Sequence, residues 1–212
     1  MLDSFLKELN EELSIELQWR YKEILIIKEI YKDNISFQQK ISKIYSIKPN
    51  KKAKFILRNG ILSLYSHWEG YFKFCLNVIN EKLDILEIDL NCIDNSLLSL
   101  LFKDKHNSKY KNKNILFENI VIDTSSNLDW KRLEKLINIY NFDKRLFKNY
   151  ESDINKLVKI RNGIAHGENS YHFENYKRIS NFVDTVNDLM FLSRWNTLKF
   201  FKLKKYYKRY IK

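Results

Sequence analysis

The chain has 212 residues, of which 44% are hydrophobic. That is enough apolar material for one domain with a hydrophobic core, and it excludes wholesale disorder. Four glycines and one proline are too few for the many tight turns of a sandwich or barrel, so the composition favours helices. The net charge of +12 indicates an anionic partner, most simply nucleic acid or an acidic membrane surface.

The first predicted element is an amphipathic helix over residues 2–32, closed by Asp33 and Asn34. Its apolar residues recur at three- and four-residue steps, and they are Phe5, Leu9, Leu13, Leu17, Tyr21, Ile24 and Leu25. Residues 34–50 are polar and mixed, and Pro49 marks a break or a new helix start.

A second, more apolar helix is predicted over residues 51–86. Gly60 and Gly70 lie inside it, and each costs a helix roughly 1 kcal/mol relative to alanine. A helix usually accepts that cost where another backbone passes close by, so we expect such an approach at both glycines.

Residues 87–126 show the weakest pattern. A short helix is predicted over 95–101, then an exposed lysine-rich loop over 103–114 and a strand or irregular segment over 115–122. The sequence therefore predicts a short irregular or strand insert around 103–125 in an otherwise helical chain.

The last part of the chain is predicted to be helical again. Ser126 and Asp129 have the spacing of a capping box, and a helix to about residue 140 follows. The final helix covers residues 173–201. Repeats, low-complexity linkers and domain boundaries are absent from the sequence, which predicts a single all-α domain over 1–212.

The cellular setting is predicted from cysteines and apolar runs. Cys75 and Cys92 have no second cysteine at metal-ligand spacing, which indicates free thiols in a reducing compartment. The first residues lack the pattern of a signal peptide, and no run approaches the roughly 18 apolar residues of a membrane span. We therefore expect a cytoplasmic protein. The sequence shows no cluster of His, Cys, Asp and Glu residues that would hold a metal, and we expect neither a metal nor a cofactor.

The candidate catalytic residues are Arg161, Asn162 and His166. Asp153 is expected to cap the helix that bears it, and Gly167 is expected to adopt the left-handed conformation that ends many helices. On that helix Asn162 and His166 share a face, so the amide can hydrogen-bond the imidazole and select its tautomer.

Arg161 is five residues from His166, which places the two side chains about 140° apart around an ideal helix. A bend at Gly163, or a second copy of the helix in a dimer, would let them converge. These residues suit RNA cleavage by the adjacent 2′-hydroxyl, because histidine can serve as base or acid and arginine binds phosphate oxygens. Taken alone the pattern is weak, since a histidine before glycine at a helix end is more often a cap.

Two strings in this order resemble the HEPN superfamily of helical nucleotide-binding domains. RNGIAHGE, residues 161–168, matches the R-x-x-x-x-H motif of that family through Arg161, Asn162 and His166. YSHWEGYFK, residues 65–73, is similar to the central-helix signature of a stand-alone branch, the MAE-like one.

The resemblance implies a bundle of long antiparallel helices that dimerises with the two motifs facing each other across a cleft. Catalytic HEPN proteins are metal-independent endoribonucleases, often toxins or effectors of defence against phage, whereas other members only bind RNA or nucleotides. One toxin branch carries a tyrosine two residues after the histidine, which a partner enzyme modifies. Here that position is Glu168, so this regulation is not expected.

Four polar residues outside the motif have two interpretations each. His67 and Glu69 are either a second layer behind Arg161 and His166 or satisfied polar groups beside a core Trp68, and a buried Glu69 would need a partner such as Arg161. Tyr171 and His172 follow the motif and are either substrate contacts or part of a surface loop. His106 lies in the lysine-rich loop and is expected to be solvated.

A basic aromatic tail over about 199–212 is a candidate RNA-binding segment. Lysines that follow phosphates, interleaved with rings on which bases stack, are typical of single-strand binding. Alternatives are a helix that packs its aromatics and solvates its lysines, and an amphipathic membrane-surface helix. The candidate RNA-binding residues are Lys199, Lys202, Lys204, Lys205, Tyr206, Lys208 and Arg209.

Three functional hypotheses follow from these residues and the resemblance. The first is a homodimeric, metal-independent endoribonuclease acting on tRNA or mRNA, with Arg161 as phosphate clamp, His166 as acid and base, and Asn162 as orienter. The second is a non-catalytic RNA-binding or adaptor module in a defence or toxin–antitoxin system. The third, compatible with the first, is a toxin held inactive by an antitoxin or another partner protein.

Overall fold

The computed structural model describes residues 2–45, 51–86, 88–101, 117, 120, 122, 127–168 and 176–208. Within these ranges the chain forms seven α-helices and a short 3₁₀ turn at Leu90–Cys92, and no strand. The helices are α1 Leu2–Tyr45, α2 Lys51–Ile85, α3 Asn95–Leu101, α4 Trp130–Ile139, α5 Lys144–Lys148, α6 Glu151–Ala165 and α7 Tyr176–Lys202. The predicted all-α class is confirmed, and most of the predicted 103–125 insert lies outside the described residues.

The central element is α2, which packs against α1, α6 and α7. Trp68, Tyr71 and Phe72 on this helix are fully buried. On α1 the buried residues are Leu9, Leu13, Leu17, Ile24 and Tyr31, at four- and seven-residue steps. The core therefore lies between the three longest helices, with α6 on a further side of α2.

Three predicted helix boundaries are wrong. Asp33 and Asn34 do not end α1, which continues to Tyr45 because no proline or glycine occurs before Pro49. The N-cap of α4 is Asp129 itself, whose carboxylate accepts a hydrogen bond from the Arg132 amide at 2.9 Å. Asp153 does not cap α6.

The helix α6 instead begins at Glu151, after Tyr150, which makes no side-chain capping bond. Glu151 and Asp153 both lie in its first turn. There their negative charges interact favourably with the positive end of the helix dipole. The five-residue α5, capped by Asp143, was not predicted.

The predicted close approach at the two glycines of α2 comes from side chains of α1, not from a backbone. A Cβ on Gly60 would lie 2.6 Å from the Tyr31 hydroxyl, which donates to the Leu57 carbonyl. A Cβ on Gly70 would lie 2.8 Å from the Arg20 guanidinium. The buried Tyr31 ring has little room to move, whereas the end of an arginine side chain is flexible.

We expect Gly60→Ala to lower the free energy of unfolding by roughly 1–3 kcal/mol, because overpacking outweighs the roughly 1 kcal/mol gain in helix propensity. Gly70→Ala is the matched control, and its effect should be smaller or of opposite sign. Urea unfolding of both variants measures the difference. Equal stability of the two would contradict the close packing of Tyr31 on Gly60.

Candidate active site at the end of α6

The end of α6 is fixed by a Schellman motif. The Glu168 amide donates to the Gly163 carbonyl at 2.8 Å, and the Gly167 amide donates to the Ile164 carbonyl at 3.1 Å. Gly167 has a φ of +82°, as its position after the helix predicted. His166 is the C-cap residue and is exposed. The motif therefore presents the imidazole to solvent on a well-defined backbone.

The Arg161 side chain lies against α2. Its guanidinium carbon is 5.2 Å from the centre of the Tyr65 ring, within the range of a cation–π interaction. The Tyr65 hydroxyl accepts a hydrogen bond from the Leu128 amide at 2.6 Å. Burial raises the pKa of Tyr65 above its usual value, so the ring stays neutral. A fixed, neutral aromatic ring thus supports the arginine.

The Asn162 amide group interacts with Arg161 and not with the imidazole. Its Oδ1 accepts a hydrogen bond from Arg161 Nη1 at 3.0 Å. Among the described residues, no hydrogen bond joins the side chains of Asn162 and His166. The Asn162 carboxamide is therefore placed to hold the arginine.

Arg161 and His166 do not converge through a bend. The helix α6 continues through Gly163 to Ala165, and the His166 amide donates to the Asn162 carbonyl at 2.9 Å in regular α-helical register. Arg161 faces α2, whereas His166 stands at the exposed helix end. Of the two routes to convergence that the sequence suggested, the bend at Gly163 is not formed.

His67 lies on the other side of α2 from Arg161. Its Nε2 is 3.1 Å from Glu23 Oε2 on α1, and its ring packs edge-on against Trp19. Burial lowers the pKa of His67, although Glu23 acts in the opposite direction. The structure thus places His67 in the α1–α2 interface as a satisfied polar group.

Glu69 is on the same face of α2 as Tyr65, one turn along the helix. It interacts with Tyr65, and its carboxylate is 3.4 Å from Lys73 Nζ. No ion pair between Glu69 and Arg161 forms in the described part of the chain. Glu69 therefore lies beside the ring that supports Arg161.

Arg58 is a site residue that the sequence reasoning missed. Its Nη2 donates to the Glu168 carbonyl at 2.8 Å, which ties α2 to the last turn of the motif. Arg58 and Tyr65 are seven residues apart on α2 and so share a face. That spacing was visible in the sequence, but only the structure places this second guanidinium group close to the end of α6.

The aromatic residues at the end of α7 are largely part of the core. Phe200, Phe201 and Tyr206 are buried, and Phe201 also packs edge-on against Phe5 of α1. In this conformation the three rings are not accessible for base stacking. The packing agrees with the alternative in which the tail packs its aromatics and solvates its lysines.

The basic residues at the end of α7 and just after it differ in their exposure and in their contacts. Lys202 and Lys204 are exposed, whereas Lys199 lies over the Trp195 ring at 4.2 Å. Lys205 donates to the Asn141 carbonyl at 2.6 Å, and the Lys208 amide donates to the Cys92 carbonyl at 2.9 Å. Arg209 and the residues after it lie outside the described residues.

Several other sequence features can be placed only in part. Tyr171, His172 and His106 lie outside the described residues. In the described ranges, no group of three or more His, Cys, Asp or Glu side chains is arranged to hold a metal ion. None of the described helices has a stretch long and apolar enough to cross a membrane.

Comparison with known proteins identifies the family. The family model of the RiboL-PSP-HEPN domain matches residues 15–191, which include α2, the whole of α6 and most of α1 and α7. A search of curated proteins and a search of solved structures give no match. The matched region contains both strings on which the resemblance was based. The chain therefore belongs to the RiboL-PSP-HEPN family of the HEPN superfamily.

Proposed function

We propose that the protein is a metal-independent endoribonuclease that cleaves single-stranded or looped RNA. Proteins of the HEPN family are in general ribonucleases or nucleotide-binding proteins. The observation that carries the proposal is the end of α6, where an exposed His166 follows an arginine held by Asn162 and Tyr65. An imidazole and an oriented guanidinium are the groups that this reaction needs.

In the proposed reaction, a neutral His166 takes the proton of a 2′-hydroxyl, and the oxygen attacks the adjacent phosphorus. The bond from phosphorus to the 5′-oxygen breaks, and a protonated histidine returns a proton to that leaving oxygen. Arg161 binds the non-bridging phosphate oxygens, on which negative charge develops. The products are a 2′,3′-cyclic phosphate and a 5′-hydroxyl, and no metal ion takes part.

The proposed enzyme is a homodimer. The motif of one chain contains one histidine, and its Arg161 lies against Tyr65 of α2 on a helix that does not bend at Gly163. Two copies with their α6 ends together would supply two histidines, as base and acid, and two arginines. Next to the site, Phe55 on α2 is 68% exposed, one turn before Arg58. An exposed aromatic residue there is suited to a subunit contact.

The biological setting is part of the proposal. We place the enzyme in the cytoplasm, as a toxin or phage-defence effector that cleaves tRNA or mRNA and is restrained by an antitoxin or another partner protein. The net charge of +12 supports binding to RNA. The YSHWEGYFK string supports a finer assignment to the MAE-like branch, which stays a prediction.

The proposal is tested by incubating the purified protein with labelled tRNA and mRNA in EDTA. We expect cleavage with 2′,3′-cyclic phosphate ends, and no cleavage at a site where the substrate has a 2′-deoxyribose. Activity that disappears in EDTA would contradict the metal-free reaction. Salt-sensitive RNA binding without cleavage would favour the non-catalytic RNA-binding or adaptor module.

A further inference from the structure

The exposed side of α1 carries an apolar stripe. Ile15, Trp19, Ile26 and Ile30 are separated by four, seven and four residues, so they lie within about 60° of one another on the helix. Their exposed fractions are 69%, 41%, 55% and 38% in that order. We call these four residues the α1 stripe. Exposed apolar residues aligned on one helix face are suited to an interaction with another protein.

Trp19 is held in one position although it is exposed. Its Nε1 donates to Glu16 Oε2 at 2.8 Å, and the Arg20 guanidinium carbon is 4.4 Å from the ring centre. The buried His67 packs against the ring at a centroid distance of 5.7 Å. A tryptophan fixed in this way loses little conformational entropy when a partner covers it, and tryptophan is enriched among residues that dominate binding energy.

The α1 stripe has acidic surroundings, in contrast to the chain as a whole. In the portion of α1 whose side chains are described, the basic residues on or beside the stripe are Lys22 and Arg20, and Arg20 pairs with Glu16. The carboxylates there are Glu8, Glu11, Glu12, Glu16, Glu23, Glu29 and Asp33, of which Glu12 pairs with Lys82 of α2. The net charge of the chain is +12, so this face differs in sign from the rest of the protein.

The α1 stripe is also separate from the candidate active site. On α2, His67 faces α1, whereas Tyr65, two residues earlier, faces Arg161 of α6. The central helix thus stands between the stripe and the motif. A molecule bound to the stripe would leave the end of α6 open.

We propose that the α1 stripe binds a basic amphipathic helix of a second protein. Four apolar residues along one helix face are suited to a partner that presents apolar residues at i, i+3, i+4 and i+7. The stripe is about 22 Å long, from fifteen residues at 1.5 Å each, and this matches a partner helix of about 16 residues.

The acidic surroundings of the α1 stripe favour a basic partner over the other molecules that could cover it. RNA and acidic membrane surfaces would meet the glutamates of α1 and be repelled, and a second copy of α1 would bring carboxylates against carboxylates. A helix with lysine or arginine beside its apolar face gains attraction instead, which also raises the association rate. This inference does not depend on the nuclease activity.

The test uses a synthetic 18-residue helix with leucine at three- and four-residue steps and lysine at the other positions. We expect titration calorimetry to show binding that weakens as salt rises. The double variant Trp19→Ala/Ile26→Ser should weaken it at least tenfold, and so should Glu8→Lys/Glu29→Lys. Phe191→Ser, a change at an exposed residue of α7, is the control and should bind as the wild type does.

Three outcomes would overturn the proposal. The first is equal binding of the peptide by the wild type and the double variant. The second is equal binding of a peptide in which glutamate replaces every lysine. The third is self-association of the wild type that Trp19→Ala/Ile26→Ser abolishes, because a second copy would then be the occupant. Circular dichroism of each variant verifies the fold, and RNA cleavage provides a separate measure of the site on α6.

Discussion

His166→Ala is expected to lower the rate of RNA cleavage by a factor of about 10²–10⁴, the usual contribution of a general acid or base. The melting temperature should stay close to that of the wild type. The imidazole is exposed, and backbone hydrogen bonds of Gly167 and Glu168 hold the end of α6. Single-turnover cleavage of labelled RNA and thermal unfolding, measured on the same preparation, test both parts.

The control for this prediction is the other histidine that the structure describes. His67 is buried against Glu23, so His67→Gln should lower the melting temperature and leave the cleavage rate of the folded protein nearly unchanged. Arg161→Lys should cleave more slowly than the wild type, since lysine keeps the charge but lacks the planar donor fork. Full activity of His166→Ala would remove the histidine from the proposed mechanism.

A dimer with His166→Ala in one subunit only is expected to retain less than about a tenth of wild-type activity. In a cleft built from two chains, one histidine would be the base and the other the acid, and losing either costs about 10²-fold or more. Two differently tagged chains, expressed together and purified through both tags, yield this mixed dimer for cleavage assays.

The matched control is a mixed dimer with Arg145→Ala in one subunit. The Arg145 side chain is 90% exposed and pairs with Asp143 next to α5. This dimer should cleave as fast as the wild type. If the dimer with one His166→Ala subunit keeps half of the activity, each chain carries a complete site and the two-chain cleft is wrong.

The sequence was most informative about the end of the motif helix and least informative about the other helix ends. Gly167 was recognised because only a few backbone conformations end a helix, and glycine accepts the left-handed one. The extension of α1 past Asp33 was missed because polar residues permit a helix as readily as a loop. The sequence predicts Asp153 as a cap because a carboxylate suits both the cap and the first turn.

Contacts between elements distant in sequence were harder to predict. The Arg58 contact with the Glu168 carbonyl joins residues 110 positions apart, and no local pattern indicates it. The partner of Asn162 could not be chosen from spacing, because both Arg161 and His166 lie within its reach. The burial of Tyr206 depends on how the end of α7 meets α1 and the residue after α4, so the sequence leaves open whether the aromatic residues of the tail are packed or accessible.

The bond from Arg58 to the Glu168 carbonyl has a consequence for a newly made chain. Arg161 and Asn162 lie in a 15-residue helix that His166 caps, and an isolated helix of that length is marginally stable in water. The Tyr65 ring beneath Arg161 and the Arg58 hydrogen bond to the Glu168 carbonyl both come from α2, which is synthesised about a hundred residues earlier. Until α6 docks on α2, a newly made chain therefore has the motif but not its geometry. If the protein cleaves RNA, the message being translated is exposed to it only after α2 and α6 have docked.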